Sequence, residues 1–305
     1  MKDQEILNRY IGCLTGLAVG DAIGTTVEFS ERGSFEPLTD MVGGGPFDLE
    51  PGQWTDDTSM ALCLAHSLIK KKGFDATDQM NRYCKWYNNG YMSSTGECFD
   101  IGHTTITALR KFLMTKDPIA GSTHPRSAGN GSIMRLAPIP LFYSCNVKDL
   151  IFYAGESSKT THAASEAVES AQLFATQIQA ALSGKSKAEI LSDDRFDPIE
   201  IKVIEIQHQK YKNKSINEIQ GTGYVIDSLE AALWCFNKSN SFEETVLMAA
   251  NLGDDADTTT AVAGQIAGAY YGYESIPQKW LDHLTMKDDI IELANDIFKL
   301  RNSMI

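Results

Sequence analysis

Apolar residues recur at helical spacing along most of the chain. Residues three or four positions apart share one face of an α-helix, whereas a strand places apolar residues at every second position. Three alanine-rich stretches, 163–181, 228–236 and 258–269, add to the helical signal because alanine is the best helix former. The pattern predicts an all-α protein. Helical spacing links these sets: Ile6, Tyr10, Leu14 and Leu17; Met60, Leu64 and Leu68; Ile106, Leu109 and Leu113; Val168, Leu173, Ile178 and Leu182.

Two short acidic segments lie near opposite ends of the chain, and each opens an apolar helical run. The first is Trp-Thr-Asp-Asp-Thr-Ser-Met at 54–60, and the second is Gly-Asp-Asp-Ala-Asp-Thr-Thr at 253–259. The helix dipole stabilises each carboxylate by only about 0.3–1 kcal/mol, too little to hold like charges together. Aspartate with threonine hydroxyls favours hard cations such as Mg²⁺, Mn²⁺ or Ca²⁺. We therefore expect one metal site built from both segments.

Helix capping is the alternative for either acidic segment taken alone, since Asp and Thr are preferred N-cap residues. Two segments of the same composition favour the metal site. Such a site requires the two ends of the chain to pack together, and no interdomain linker is recognisable. The sequence therefore predicts a single domain over residues 1–305. The less regular stretches are 31–55, 88–101, 117–131 and 193–198.

Four glycines at four-residue intervals form one stripe of the first predicted helix. They are Gly12, Gly16, Gly20 and Gly24. Each costs the helix about 1 kcal/mol relative to alanine, so a closely packed neighbour or the floor of an active site must offset that cost. Close helix packing is the simpler explanation. Glu28 follows this segment, and we expect it to lie nearest the metals.

The segment 126–135, Arg-Ser-Ala-Gly-Asn-Gly-Ser-Ile-Met-Arg, is a candidate anion site. Glycines with Ser and Asn before an apolar helix leave backbone N–H groups free, and such a turn can bind a phosphate. An ordinary capped loop is the alternative. His162 could donate to the same anion, although a lone histidine is often structural. Asp100, in a loop before a helix predicted near Thr104, is either a site residue or an N-cap.

Charge and cysteine content limit the possible partners and location. The 27 basic and 40 acidic residues leave a formal charge of −13, which argues against nucleic acid or an anionic membrane as the main partner. The N-terminus lacks a basic region, and the apolar run 11–19 is broken by glycines and followed by Asp21, so neither a signal peptide nor a membrane span is expected. Six cysteines without a C-x-x-C pair indicate reduced, buried thiols in a cytoplasmic protein.

Several catalytic signatures are missing from the sequence. The six histidines form no H-x-H or H-E-x-x-H pattern, so zinc hydrolysis is not expected, and no G-x-S-x-G motif supports a serine hydrolase. A prenyl diphosphate synthase needs D-D-x-x-D, but Met60 stands at the position of its last acid.

The motifs together closely resemble the ADP-ribosylglycohydrolase family, above all the branch that contains the dinitrogenase reductase-activating glycohydrolase. They occur in family order from about residue 12 to residue 272: G-L-A-V-G-D-A-I-G with Glu28, W-T-D-D-T-S-M, F-D-I-G, G-N-G-S-I-M-R, T-H-A-A and L-G-D-D-A-D-T-T.

The resemblance implies a compact orthogonal helical bundle with two Mg²⁺ or Mn²⁺ ions in a cleft. The implied reaction is hydrolysis of the N-glycosidic bond between ADP-ribose and a side chain of a modified protein, usually arginine, with ADP-ribose as product. Glu28 would lie at the metal edge and Asp100 beside the scissile ribose. The implied metal ligands are Thr55, Asp56, Asp57, Asp255, Asp257 and Thr258; the residues that hold the diphosphate and inner ribose are Ser127, Gly129, Asn130, Gly131 and His162.

Some assignments stay open at this level. Either Asp100 or Glu28 moves the proton, or assists opening of the ribose ring. Another ADP-ribosyl linkage, to serine, O-acetyl or a nucleobase, is an alternative, and so is a protein that only binds ADP-ribose. Intact acids favour a catalyst over a binder: Asp56, Asp57, Asp255 and Asp257 are all present.

Overall fold

The computed structural model of the protein describes residues 2–302. In this range the chain forms fourteen α-helices and six short 3₁₀ turns, with isolated bridges but no β-strand, which confirms the predicted all-α class. The helices are α1 Asp3–Gly24, α2 Asp56–Lys71, α3 Ala76–Asn89, α4 His103–Thr115, α5 Pro138–Phe142, α6 Val147–Lys159, α7 Ser165–Leu182, α8 Lys187–Leu191, α9 Ile201–Gln207, α10 Val225–Lys238, α11 Phe242–Ala250, α12 Ala256–Tyr271, α13 Gln278–His283 and α14 Lys287–Asn302.

The glycine stripe of α1 packs directly against α12, and the two helices run antiparallel. A Cβ on Gly16 would lie 2.4 Å from the Gly264 carbonyl oxygen, and one on Gly20 would lie 2.3 Å from that of Thr260. Only glycine permits this separation, so close helix packing accounts for the stripe. At the end of α1, Gly24 meets the backbone of Ala256 and Asp257. The seam therefore brings the end of α1 to the start of α12.

The hydrophobic core joins both ends of the chain. One continuous cluster of buried residues extends from Tyr10 in α1 to Phe298 in α14, and a smaller cluster lies between α2, α3 and α4. The large cluster draws on N- and C-terminal helices alike; a single domain over residues 1–305 stays a prediction.

Helix α1 is the central helix of this core. Among the described residues, the segment Asp3–Val27 alone is long and apolar enough to cross a membrane by length and composition. The apolar window that meets this criterion is 89% buried inside the fold. The apolar character of α1 thus serves the packing of the core.

All six cysteines lie within the described residues and are free. Cys13, Cys63, Cys84 and Cys235 are buried, and Cys98 is half-buried. The prediction of buried thiols is wrong for Cys145, which is exposed because it lies in the turn between α5 and α6.

Candidate active site

The two acidic segments meet at one end of the bundle, although about 200 residues separate them in sequence. Each begins a helix: Asp56 and Asp57 are the first residues of α2, and Asp257 is the second residue of α12. Carboxylate oxygens of Asp21, Asp57 and Asp257 lie within 4.8 Å of one another, and so do those of Glu28, Asp100 and Asp257. Asp257 belongs to both groups and lies at the centre of the acidic cluster.

Capping does not explain the acidic segments. Within residues 2–302, neither Thr55, the N-cap residue of α2, nor Asp255, the N-cap residue of α12, makes a side-chain capping hydrogen bond. Asp57 Oδ1 and Asp257 Oδ1 are both buried and have no hydrogen-bond partner in the described part of the chain. An unpaired buried carboxylate oxygen is costly, and these two therefore fit cation ligands.

Burial and mutual repulsion shift the titration of the whole cluster. Burial, reinforced by the neighbouring carboxylates, raises the pKa of Asp56, Asp57 and Asp257 well above the usual range. For the same reasons the pKa of Glu28 rises to about 10, and burial is the main cause that brings the pKa of Asp100 to about 7. A divalent cation would offset this repulsion. Oxygen-only donors with nearby threonine hydroxyls suit a hard ion.

The threonines predicted as ligands lie inside the acidic cluster. Thr55 Oγ1 is 3.2 Å from Asp57 Oδ2 and 3.2 Å from Asp257 Oδ2, and Thr258 Oγ1 is 3.4 Å from Asp57 Oδ2. The structure places Asp56 and Asp255 beside the two groups of three, on the wall of the adjoining cavity. Four of the six predicted ligands thus line the cavity, and the other two, Thr55 and Asp57, lie against Asp257 and Thr258.

Asp21 is the residue that sequence reasoning missed. Asp21 Oδ1 accepts hydrogen bonds from the N–H and the Oγ1 of Thr55, both at 2.9 Å. Asp21 Oδ2 accepts from the N–H of Thr58 at 3.0 Å and from its Oγ1 at 2.6 Å. These four bonds occupy the lone pairs that a carboxylate offers. Asp21 is therefore a positioning residue that holds the start of α2, and the signal for it was a lone acid inside an apolar, glycine-striped helix.

Glu28 and Asp100 reach the cluster from two loops. Glu28 follows the 3₁₀ turn Thr25–Val27, and its side chain is only 4% exposed. Asp100 is half-buried and has a positive φ of 55°. The N-cap of α4 is Gly102, so the interpretation of Asp100 as an N-cap is wrong. The left-handed backbone at Asp100 costs energy in a non-glycine residue and turns the chain so that this side chain lines the cavity.

A cavity of about 600 Å³ opens from the acidic cluster towards the glycine-rich turn. Gly129, Asn130, Gly131 and His162 also line it. Asn130 Nδ2 donates to Asp255 Oδ2 at 2.6 Å and so joins the turn to the acidic cluster. In the part of the chain that the structure describes, the backbone N–H groups of Gly129 and Gly131 make no hydrogen bond. They remain available to an anion.

His162 is held neutral against the glycine turn. A Cβ on Gly131 would lie 2.6 Å from His162 Cε1, so the ring requires glycine there. Burial, reinforced by the charge of Arg135, lowers the pKa of His162 to about 3. The Thr161 hydroxyl accepts from Arg135 Nη2 at 2.7 Å and lies 2.9 Å from His162 Nδ1. Since arginine is only a donor, Thr161 can donate to Nδ1, which leaves the proton on Nε2 as a donor.

Ser127 does not line this cavity. Its hydroxyl donates to the backbone carbonyl of His124 at 2.6 Å, and its side chain lines a neighbouring cavity of about 570 Å³. The two cavities share His103 and Thr104. Binding of the diphosphate by Ser127 stays a prediction.

The comparisons with known proteins agree with this geometry. The sequence model of a family described as ADP-ribosylglycohydrolase matches residues 2–304. The chain is 44% identical over 296 residues to the ADP-ribosylarginine hydrolase Tri1 of Serratia proteamaculans (strain 568), covering 97% of this chain and 80% of that protein. It is 29% identical over 294 residues to the ADP-ribosyl-[dinitrogen reductase] glycohydrolase of Rhodospirillum rubrum, covering 94% of each.

A solved structure entitled ADP-ribosylglycohydrolase-related protein complex has the same fold. It matches with a TM-score of 0.88 and 40% identity, over 98% of this chain and 99% of that chain. This likeness confirms the helical bundle that the sequence resemblance implied.

Proposed function

This chain belongs to the ADP-ribosylglycohydrolase family, and from that premise we propose that it hydrolyses the N-glycosidic bond between ADP-ribose and arginine side chains of modified proteins. The acidic cluster with two unpaired buried oxygens, beside a cavity that a glycine turn also lines, carries the proposal. Identity of 44% to ADP-ribosylarginine hydrolases in two organisms supports arginine as the acceptor.

Two divalent cations, Mg²⁺ or Mn²⁺, complete the proposed site. The residues that would hold them are Thr55, Asp56, Asp57, Asp255, Asp257 and Thr258, with Glu28 at the edge. When bound, such ions neutralise the carboxylates, polarise the ribose hydroxyls and lower the pKa of a nearby water. Asp21 keeps the ligands of α2 in place through its four hydrogen bonds to Thr55 and Thr58.

The remaining roles follow from the position of each group. The N–H groups of Gly129 and Gly131 and the Nε2–H of His162 bind the diphosphate, since backbone N–H groups in a turn suit an anion. We assign proton transfer to Asp100, because both carboxyls line the cavity but Asp100 is half-buried whereas Glu28 is buried. Departure of the nitrogen builds oxocarbenium character at the ribose, and Asp100 accepts the proton that the attacking water loses.

The test measures release of free ADP-ribose from peptides that carry either ADP-ribosylarginine or ADP-ribosylserine. Mg²⁺, Mn²⁺ or a chelator is added to wild type, to Asp257→Asn and to the matched surface control Asp194→Asn, whose carboxylate is exposed between α8 and α9. We expect cation-dependent release from arginine that Asp257→Asn lowers by more than 100-fold and the control preserves. Release from the serine-linked peptide alone would show that the acceptor is serine. Binding of ADP-ribose without release from either peptide would show that the protein only binds ADP-ribose.

Asp100→Asn separates catalysis from metal binding. We expect turnover to fall by 10²–10⁴-fold, the usual contribution of a general acid or base, while Mn²⁺ binding measured by calorimetry persists. Parallel loss of both properties would identify Asp100 as a ligand instead.

We further propose a cytoplasmic location. The six free cysteines support it, since reducing compartments keep thiols from pairing.

A further inference from the structure

Three phenylalanines form a row of ring contacts, the phenylalanine wall, that reaches the cavity at Phe29. Phe29 lines the cavity and yet is 68% exposed. Its ring lies 6.4 Å from that of Phe47, which in turn lies 5.2 Å from that of Phe99. Phe47 and Phe99 are both half-buried. Such an exposed aromatic group next to buried carboxylates contributes little to the core and calls for another explanation.

The backbone holds this phenylalanine wall in place. Phe29 has a positive φ of 61°, and its N–H donates to the Asp254 carbonyl at 2.7 Å. Phe47 ends the 3₁₀ turn Gly45–Phe47, where a Cβ on Gly45 would lie 2.2 Å from the Thr25 carbonyl oxygen. A left-handed phenylalanine is an unfavourable conformation, and such conformations concentrate at functional sites. Phe29 is therefore presented by strained backbone, not by a loose loop.

Phe29, Glu28 and Asp100 line the same cavity as the glycine turn. The glycine turn is joined to the acidic cluster on the Asp255 side, through Asn130. Phe29 is the chain neighbour of Glu28, and its N–H donates to the carbonyl of Asp254, so Phe29 lies beside the acidic cluster. A ligand with its diphosphate at the glycine turn and its ribose at the cluster then has the exposed Phe29 ring among the groups that its leaving group can contact.

We infer that the phenylalanine wall of Phe29, Phe47 and Phe99 binds the guanidinium group of the modified arginine and so makes the site specific for arginine. A guanidinium group is a planar cation that stacks on aromatic rings and donates to carboxylates. Glu28 and Asp100 stand beside the wall to accept those bonds. A serine acceptor has no cation to stack. This inference rests on the proposed hydrolysis of ADP-ribosylarginine.

The experiment compares the whole substrate with the product. Steady-state kinetics use a peptide that carries one ADP-ribosylarginine, and calorimetry measures the Kd of ADP-ribose, which lacks the acceptor. We expect Phe29→Ala and Phe29→Leu to raise KM for the peptide about 5- to 10-fold, with the Kd of ADP-ribose changed less than twofold. Phe29→Trp should keep the wild-type KM because it preserves the aromatic face. Phe152→Ala removes another exposed phenylalanine, 57% exposed on α6, and serves as the matched control.

The outcomes separate the inference from the proposed function. If wild type fails to hydrolyse the arginine-linked peptide, the proposed function fails. If wild type hydrolyses it but Phe29→Ala and Phe47→Ala match wild type, the wall does not bind the acceptor. An equal loss of ADP-ribose affinity in Phe29→Ala would also overturn the inference, because the ring would then contact the ADP-ribose itself. Melting temperatures show that each variant is folded, and Phe29→Leu keeps the apolar bulk.

Discussion

At the scale of single residues, Asp21 decides the geometry of the acidic cluster. Its carboxylate joins α1 to the first turn of α2, where Thr55 and Asp57 stand beside Asp257 of α12. Although Asp21 lies within 4.8 Å of Asp57 and Asp257, its oxygens already accept four hydrogen bonds. It therefore orients ligands without being free to bind a cation, in the manner of the outer-shell partners of metal sites.

Asp21→Asn tests this positioning role. The amide replaces one acceptor oxygen with a donor that faces two N–H or O–H groups, so the start of α2 loses its anchor. We expect Mn²⁺ affinity to fall about 10- to 100-fold, as for other outer-shell substitutions, while the helical circular dichroism persists. Titration calorimetry measures the affinity, with Asp194→Asn as the control. Wild-type affinity in Asp21→Asn would show that the four bonds do not matter to the site.

At the scale of elements, the seam between α1 and α12 positions both halves of the site. The four glycines of α1 allow backbone contact along the whole seam, from Gly12 against Gly268 to Gly24 against Ala256. Asp21 lies near the C-terminal end of α1 and Asp257 near the N-terminal end of α12, so both lie at the same end of the seam. A change of helix separation would therefore move the two carboxylates relative to each other.

Gly16→Ala tests the seam at a distance from the site. The added Cβ would lie 2.4 Å from the Gly264 carbonyl oxygen, so the helices must separate. We expect the free energy of unfolding to fall by about 1–3 kcal/mol, the usual cost of overpacking, and Mn²⁺ affinity to fall with it. Urea unfolding checks the first effect.

Gly73→Ala is the matched control for the seam. Its new Cβ would meet only the Tyr143 hydroxyl, at 3.8 Å. Stability there should stay the same or rise by about 0.4–1 kcal/mol, since alanine restricts the unfolded chain more than glycine. A loss of stability equal to that of Gly16→Ala would contradict the role of the seam.

At the scale of the whole molecule, the fold stores like charges that a cation would neutralise. The carboxylates of Asp57 and Asp257 are buried, and each keeps one oxygen unpaired within residues 2–302. Burial raises the pKa of both carboxylates, because ionising them inside the fold costs free energy. Ionisation of these two groups therefore opposes folding. Binding of a cation should therefore be coupled to stability of the complete bundle, because the site joins α1, α2 and α12.

Cation binding should raise the melting temperature. At a free Mn²⁺ concentration of about 100 times Kd, linkage predicts about 2.7 kcal/mol of stabilisation, or about 4 °C for a chain of this size. Asp257→Asn should lose that rise, yet melt above wild type when a chelator is present, since one buried negative charge is gone. Differential scanning fluorimetry measures all four states. Equal shifts with Mn²⁺ in both proteins would place the cation elsewhere.

What the sequence alone could predict depended on local pattern. Helical spacing of apolar residues and the alanine-rich runs identified the helices around 163–181 and 258–269, because periodicity is a property of neighbouring positions. The two acidic segments were recognisable for the same reason, since each carries its composition within seven residues. The glycine stripe predicted close packing, although its partner α12 was unknown.

Tertiary structure decided what meets across the chain. The hydrogen bonds of Asp21 to Thr55 and Thr58, and the ring contacts of Phe47 with Phe29 and Phe99, join segments whose separation no local pattern encodes. Asp100 could be distinguished from an N-cap only once Gly102 was seen to cap α4. The physical reason is that ligand geometry and burial arise from helix packing, whereas the sequence by itself determines which faces of the helices are apolar and where the acids lie.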